Sequence, residues 1–177
     1  CDNNAVYVTG WSISTTRDVI TIKYNTATGD TMWVKKYNGP FSGGDYGWAI
    51  TNDANFVYVC GRASVGTPER QRYLVLKYDI ATGNMAAGFP FIYSADTLNN
   101  EAHAIKVDIL GNIYVTGQTN FNNLIASNIL TLKVNSAGTL VWAKTHNASG
   151  NDNDNGVALG FDNAQTSLFV AGYGIRA

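Results

Sequence analysis

The stretch Asn112-Ile-Tyr-Val-Thr-Gly117 decides the fold, because the chain contains it three more times in close variants. Ala5-Val-Tyr-Val-Thr-Gly10, Phe56-Val-Tyr-Val-Cys-Gly61 and Ser167-Leu-Phe-Val-Ala-Gly172 keep its alternation of β-branched and aromatic residues and its closing glycine. Such runs read as strands. Successive copies lie 51, 56 and 55 residues apart. Self-similarity at a nearly constant period marks a repeat architecture.

Downstream of the first three copies come Val19-Ile-Thr-Ile-Lys-Tyr24, Tyr73-Leu-Val-Leu-Lys-Tyr78 and Ile129-Leu-Thr-Leu-Lys-Val134. Mostly apolar runs of this length suit strands covered on both faces. Each runs into a turn, Asn25–Gly29, Asp79–Gly83 or Asn135–Gly138. There Asn or Asp can cap its own turn and Gly supplies positive φ. A third run follows, Thr31-Met-Trp-Val-Lys-Lys-Tyr37 and Leu140-Val-Trp-Ala-Lys-Thr-His146. Its middle copy, Met85 to Tyr93, is two residues longer and is expected to put Phe89 where Trp33 and Trp142 stand. A fourth run reads Asp45-Tyr-Gly-Trp-Ala-Ile50, Asn100-Glu-Ala-His-Ala-Ile105 and Asp154-Asn-Gly-Val-Ala-Leu159. Its columns of small residues, Gly47/Ala102/Gly156 and Ala49/Ala104/Ala158, suit strands crowded near an axis.

Four short strands per unit, meandering through tight turns, form the blade of a β-propeller. A solenoid coil usually needs only ~20–30 residues. The sequence therefore predicts an all-β chain, a partial β-propeller of four-stranded antiparallel blades, about three and a quarter of them. All of 1–177 is one domain, with an incomplete blade 1 (1–44), blade 2 (45–99), blade 3 (100–153) and an incomplete blade 4 (154–177).

The stretch Asp108-Ile-Leu-Gly-Asn-Ile-Tyr-Val-Thr-Gly117, with the Lys-Tyr strand, the tryptophan and Tyr37-Asn-Gly-Pro40, resembles the bacterial "seven-bladed β-propeller" (SBBP-type) repeat family. The likeness covers essentially the whole chain. It implies a repeat found in secreted and surface proteins, defined by architecture and without shared catalytic residues. By analogy with related propellers, the fourth run becomes the innermost strand and the Tyr-Val-Thr-Gly run the second. The Lys-Tyr run is then third and the tryptophan run outermost. The count is then thirteen strands, distributed three, four, four and two. Thirteen strands cannot close a ring of four-stranded blades, and native proteins avoid bare sheet edges. The expectation is a larger object, completed by the remainder of the propeller or by further copies of the chain.

Composition narrows the setting. Charged residues make up 14%, against roughly 25% in typical soluble domains. Asn, Thr, Ser and Gly must supply the surface polarity, which leans toward a secreted or cell-surface protein. The net charge of −1 gives no basic field for nucleic acid. No apolar run approaches the ~20 residues of a membrane span. Two cysteines, Cys1 and Cys60, do not make a disulfide framework, and Cys60 stands in a strand column as a buried small residue.

No Ser/His/Asp or Cys/His arrangement, phosphate loop or zinc spacing is visible, and no cofactor is expected. Asn151, Asn153, Asn155 and Asp162 fit the spacing of a calcium loop only weakly, since Asp162 is already accounted for by its repeat column with Asp53 and Asp108. Asp45, Asn100 and Asp154 share a column that could line a channel mouth, with turn capping the stronger reading. The lysine column, Lys23, Lys77 and Lys133, is expected to pair with a carboxylate between blades or to snorkel. His103 shares its column with Trp48 and Val157, and His146 with Tyr37 and Tyr93, and both read as structural. Asn147-Ala-Ser149 is a glycosylation sequon.

The connections differ more between units than the strands do, and loops on a rigid scaffold commonly carry recognition. Arg62, Arg70 and Arg72 with Phe41 and Tyr46 are the candidate binding face. The expected function is a non-catalytic scaffold that binds a protein or glycan through loops on one face. Competing expectations are a structural subunit pairing blade edges into a filament or lattice, and a hydrolase or lyase at the channel mouth, for which no nucleophile presents itself.

Overall fold

The computed structural model describes residues 4–41, 43–66, 70–93, 99–119, 127–147 and 153–175. Cys1, Asn151 and the serine of the sequon lie outside these residues, as do most residues of three of the variable connections. The described chain is all-β, without a helix, and its thirteen strands form four antiparallel sheets. The first sheet holds β1 (Ala5–Ile13), β2 (Arg17–Asn25) and β3 (Thr31–Tyr37). The second holds β4 (Tyr46–Asn52), β5 (Phe56–Val65), β6 (Arg70–Asp79) and β7 (Phe91–Ile92). The third holds β8 (Asn100–Val107), β9 (Ile113–Thr119), β10 (Asn128–Val134) and β11 (Leu140–His146), and the last pairs β12 (Asn153–Phe161) with β13 (Leu168–Ile175). Spatial order follows chain order in every sheet, the meander of a propeller blade, and the sheets do not close into a ring.

Strand alternation explains how the sheets stack. On β5 and β6, Val59, Ala63, Leu74, Leu76 and Tyr78 pack with Val19 and Tyr37 of the first sheet. Their neighbours Tyr58, Cys60, Tyr73 and Val75 point the other way, into Ile113, Val115, Leu130, Leu132 and Val134 of the third. The second sheet is therefore apolar on both faces, which is why its strands read as nearly continuous hydrophobic runs.

The closing glycine of the repeated phrase has a steric cause. A Cβ on Gly61 would collide with the carbonyl oxygen of Tyr46, and one on Gly117 with that of Glu101. The innermost strand presses its backbone against the second strand at that point. There the register also shifts, between Gly47 and Ala49, Ala102 and Ala104, and Gly156 and Ala158. Each innermost strand thus carries a β-bulge whose extra residue is Trp48, His103 or Val157.

Two lysines of the repeated column reach backbone carbonyls of the next sheet: Lys23 Nζ donates to Ile80 O at 3.0 Å and Lys77 Nζ to Ser136 O at 2.9 Å. Each acceptor sits in the turn that ends the third strand of the following sheet, and Trp33 Nε1 donates to Ile80 O as well, at 3.3 Å. Phe89 stands level with Lys77, as the tryptophans stand with their lysines, but outside the hydrogen-bonded ladder. Trp33 and Trp142 stand opposite Lys23 and Lys133, whereas the middle copy breaks around Gly88 and resumes only at Phe91. Phe89 still packs on the core, with its ring centre 5.6 Å from Lys77 Nζ. The strands run on beyond the glycine that closes the repeated phrase. Trp11 pairs with Val19, and Arg62 with Tyr73, so the ladders continue past Gly10 and Gly61.

Candidate functional site

The bulges lie on the innermost strands, and a β-bulge re-aims its side chain out of the ladder. Trp48 is 44% exposed as a result, and Val157 equally so. Tyr46, two residues before Trp48, stacks on it with ring centres 5.7 Å apart and planes within 8°. Trp11, at the matching height of the first sheet, meets Tyr46 edge-on at 6.0 Å. Two guanidinium groups complete this aromatic cluster. Arg62 lies 4.2 Å from the centre of the Tyr46 ring, and Arg17 lies 5.5 Å from that of Trp11.

From Arg62 a polar chain crosses to the later sheets. Arg62 Nη1 donates to Glu101 Oε2 at 3.0 Å. His103 Nε2 stands 3.6 Å from the other oxygen of Glu101. His103 Nδ1 is 2.8 Å from Asn155 Oδ1, and Asn155 Nδ2 donates to the Tyr173 hydroxyl at 3.4 Å. One row of side chains thus runs over all four sheets: Trp11, Tyr46, Arg62, Glu101, His103, Asn155 and Tyr173. Burial opposes ionisation of Glu101, but His103 and the Arg62 charge outweigh it and hold its carboxyl below the usual range. At neutral pH the pair is therefore a fixed ion pair and not an acid poised to give up a proton. The Cys60 thiol, buried behind this row, is pushed well above its ordinary range by desolvation.

The family model described as SBBP, β-propeller repeat, matches residues 101–125. They span most of β8 and all of β9, the two strands that carry Glu101, His103 and Gly117. No curated protein matches the chain.

Against the SBBP frame, the expected site residues separate into three groups. Arg62 and Tyr46 come together in the row, on strands and not on loops. Arg70 is exposed at the start of β6, while Arg72 is 7% exposed and pairs with Ala63 in the ladder, so Arg72 is no part of an open face. Phe41 is exposed beside a cavity of about 390 Å3 that it lines with Thr15, Thr16, Asn38, Gly39 and Pro40.

Asp45, Asn100 and Asp154 are buried, which removes them from any open channel mouth. Asp45 instead staples two sheets. Its Oδ2 accepts from Gly39 N at 2.5 Å, its Oδ1 accepts from Ser64 N at 2.9 Å, and its own N–H donates to Arg17 O. Asp154 N repeats the last bond, to Ser127 O at 2.8 Å.

The calcium-loop spacing falls on an extended strand. Asn153 and Asn155 lie on β12 and Asp162 just beyond its far end, so a rise of ~3.3 Å per residue separates Asn155 from Asp162 by about 23 Å. Asn153 Oδ1 accepts from Ser127, and Asp162 accepts from Ser167 N and Thr166 Oγ1. Those three residues do not converge on one cation, and Asn151 lies outside the described residues.

Sequence reasoning did not assign Trp11, Glu101 and Tyr173 to a site, and it read His103 as structural. A signal was present. Tyr46/Glu101/Asn155 and Trp48/His103/Val157 are columns that change chemistry from unit to unit, between columns that repeat.

Proposed function

We propose that the chain is a non-catalytic propeller scaffold, secreted or displayed at a cell surface, that binds a protein or glycan through one face. The SBBP repeat is a structural unit, which supports the scaffold part of this reading. One observation carries the binding part: an aromatic and polar row crosses the inner strands, with Trp11 and Trp48 more than two-fifths exposed. Exposed aromatic side chains held rigid by neighbours are the usual anchors of recognition surfaces. The low charge content supports the extracellular setting.

The test is a glycan array and a set of purified surface proteins, probed in parallel with the chain and its Trp11→Ala variant. Trp11 is exposed, so its removal should leave the fold intact. The reading requires a ligand whose binding falls at least tenfold in the variant. Ligands bound equally well by both proteins would move recognition to another surface.

A further inference from the structure

We propose that copies of this chain associate head to tail, the outer face of the first sheet of one copy seating on β10 and β11 of the next, beside β13. The first sheet packs on the second through Val19 and Tyr37. Strand alternation turns Val6, Val8, Ile22 and Val34 the other way, and the register sets Val8, Ile22 and Val34 in one row. Val6, Val8 and Val34 are 49%, 44% and 48% exposed. Elsewhere in the molecule the same columns are covered. Val8 shares its column with Val59 and Val115, and Val6 shares its column with Ile113. Val59 is fully buried against the first sheet, and Ile113 and Val115 are fully buried against the second.

The other end of the molecule carries the matching surface. Ile129 and Thr131 of β10 stand in the columns of Tyr73 and Val75, which share one core with Ile113, Val115, Leu130 and Leu132 of the sheet that follows them. Beside β13, Ile129 and Thr131 instead line a cavity of about 310 Å3 with His146 and Val170. A second cavity of about 260 Å3 shares Ile129, His146 and Val170 and runs on to Tyr173. Among the described residues β1 and β13 are also edge strands, each paired on one side only. Setting β1 of one copy next to β13 of another brings Val6 and Val8 over these cavities and covers both edges at once. Exposed apolar patches and open sheet edges are the two features that such a contact removes. The occupant is a second copy because one chain carries both halves of the joint. The contact also continues the interface by which its own sheets already stack. It is heterologous, so each copy offers one head and one tail.

The experiment follows the whole chain by sedimentation velocity, from micromolar to several hundred micromolar concentration. The mass should rise with concentration. Val8→Glu disables the head and Val170→Glu the tail, at sites 44% and 39% exposed, so each variant should keep its fold. Each alone should sediment as a monomer. An equimolar mixture of the two should form a pair and nothing larger, because one sound head and one sound tail remain. Should Val170→Glu lower the melting temperature, His146→Glu, exposed at the same cavity, replaces it with the same expected result. Val141→Glu, exposed on the other face of β11, should associate like the parent. A parent chain that stays monomeric throughout overturns the inference, as does a mixture that stays monomeric. A tail variant that still self-associates also overturns it, and would mean that the first-sheet faces pair with each other. A head variant that still self-associates moves the contact away from β1 and overturns it too.

Discussion

One aspartate per repeat does the same work three times. Asp108 Oδ1 accepts from the backbone of Leu110 and Asn112, and its Oδ2 accepts from Asn112 Nδ2 and the Tyr114 hydroxyl. Asp53 holds Asn55, Phe56 and Tyr58 in the same way. In the last copy Phe169 has no hydroxyl, and the Thr166 side chain takes the second oxygen of Asp162 at 2.8 Å. Asp108→Ala should therefore destabilise the chain by about 2 kcal/mol, since charge-assisted bonds are lost and their donors stranded; the urea midpoint reads this directly. Burial works against the charge of Asp108, but the bonds from Asn112, Leu110 and Tyr114 outweigh it and hold its carboxyl below the ordinary range. A depressed folded value stabilises above the unfolded value of about 4, and that contribution is lost as pH falls through the folded value. Asp108→Asn should accordingly flatten the loss of stability in urea unfolding between about pH 5 and pH 3. Gly117→Ala drives a methyl into the Glu101 carbonyl and should cost about 3 kcal/mol. A melting temperature unchanged in Gly117→Ala would show that the close approach of β8 and β9 is not needed.

Buried polar groups help to join neighbouring elements. Tyr73 is fully buried and donates to Leu130 O at 2.8 Å, linking the second sheet to the third. Tyr73→Phe keeps the packing and should cost about 1 kcal/mol, because Thr116 Oγ1 still serves that carbonyl at 3.3 Å. Lys77→Met should cost about 1.5 kcal/mol by leaving Ser136 O without its ammonium donor. Both values come from denaturant midpoints at constant m. Much of this level was legible in the chain. Gly47, Ala102 and Gly156 marked the crowded innermost strands, because only small side chains tolerate the approach of Thr9 and Thr116 from the preceding sheet. The Lys-Tyr runs marked the doubly covered third strands. Two things were not legible. Strand ends past Gly10 and Gly61 depend on ladder partners distant in sequence, Val19 and Tyr73. The break in the outer strand of the second sheet arises from Gly88, whose backbone packs against Ala137 and Gly138 of the next sheet, a contact no local pattern encodes. The aromatic and polar row also escaped, because periodicity highlights what repeats and the row is made of what does not.

At the scale of the molecule, packing is nearest-neighbour, as in other repeat proteins. The core between the second and third sheets, around Tyr73, Ile113, Leu130 and Leu132, is the largest cluster among the described residues. Leu132→Ala, fully buried there, should cost about 3 kcal/mol, whereas Val6→Ala, 49% exposed on β1, should stay within about 0.5 kcal/mol. A pair of equal losses would mean that β1 is covered in solution by something else. The lysine-to-turn bond adds a consequence of another kind. The second sheet donates through Lys77 to the sheet after it and accepts at Ile80 from the sheet before it. A duplicated unit would bring both halves of its own joint, so blades can be gained or lost one at a time without inventing a new interface. The row on the inner strands would lengthen with each addition, and because its columns are free to differ, every added blade brings a fresh position that can vary.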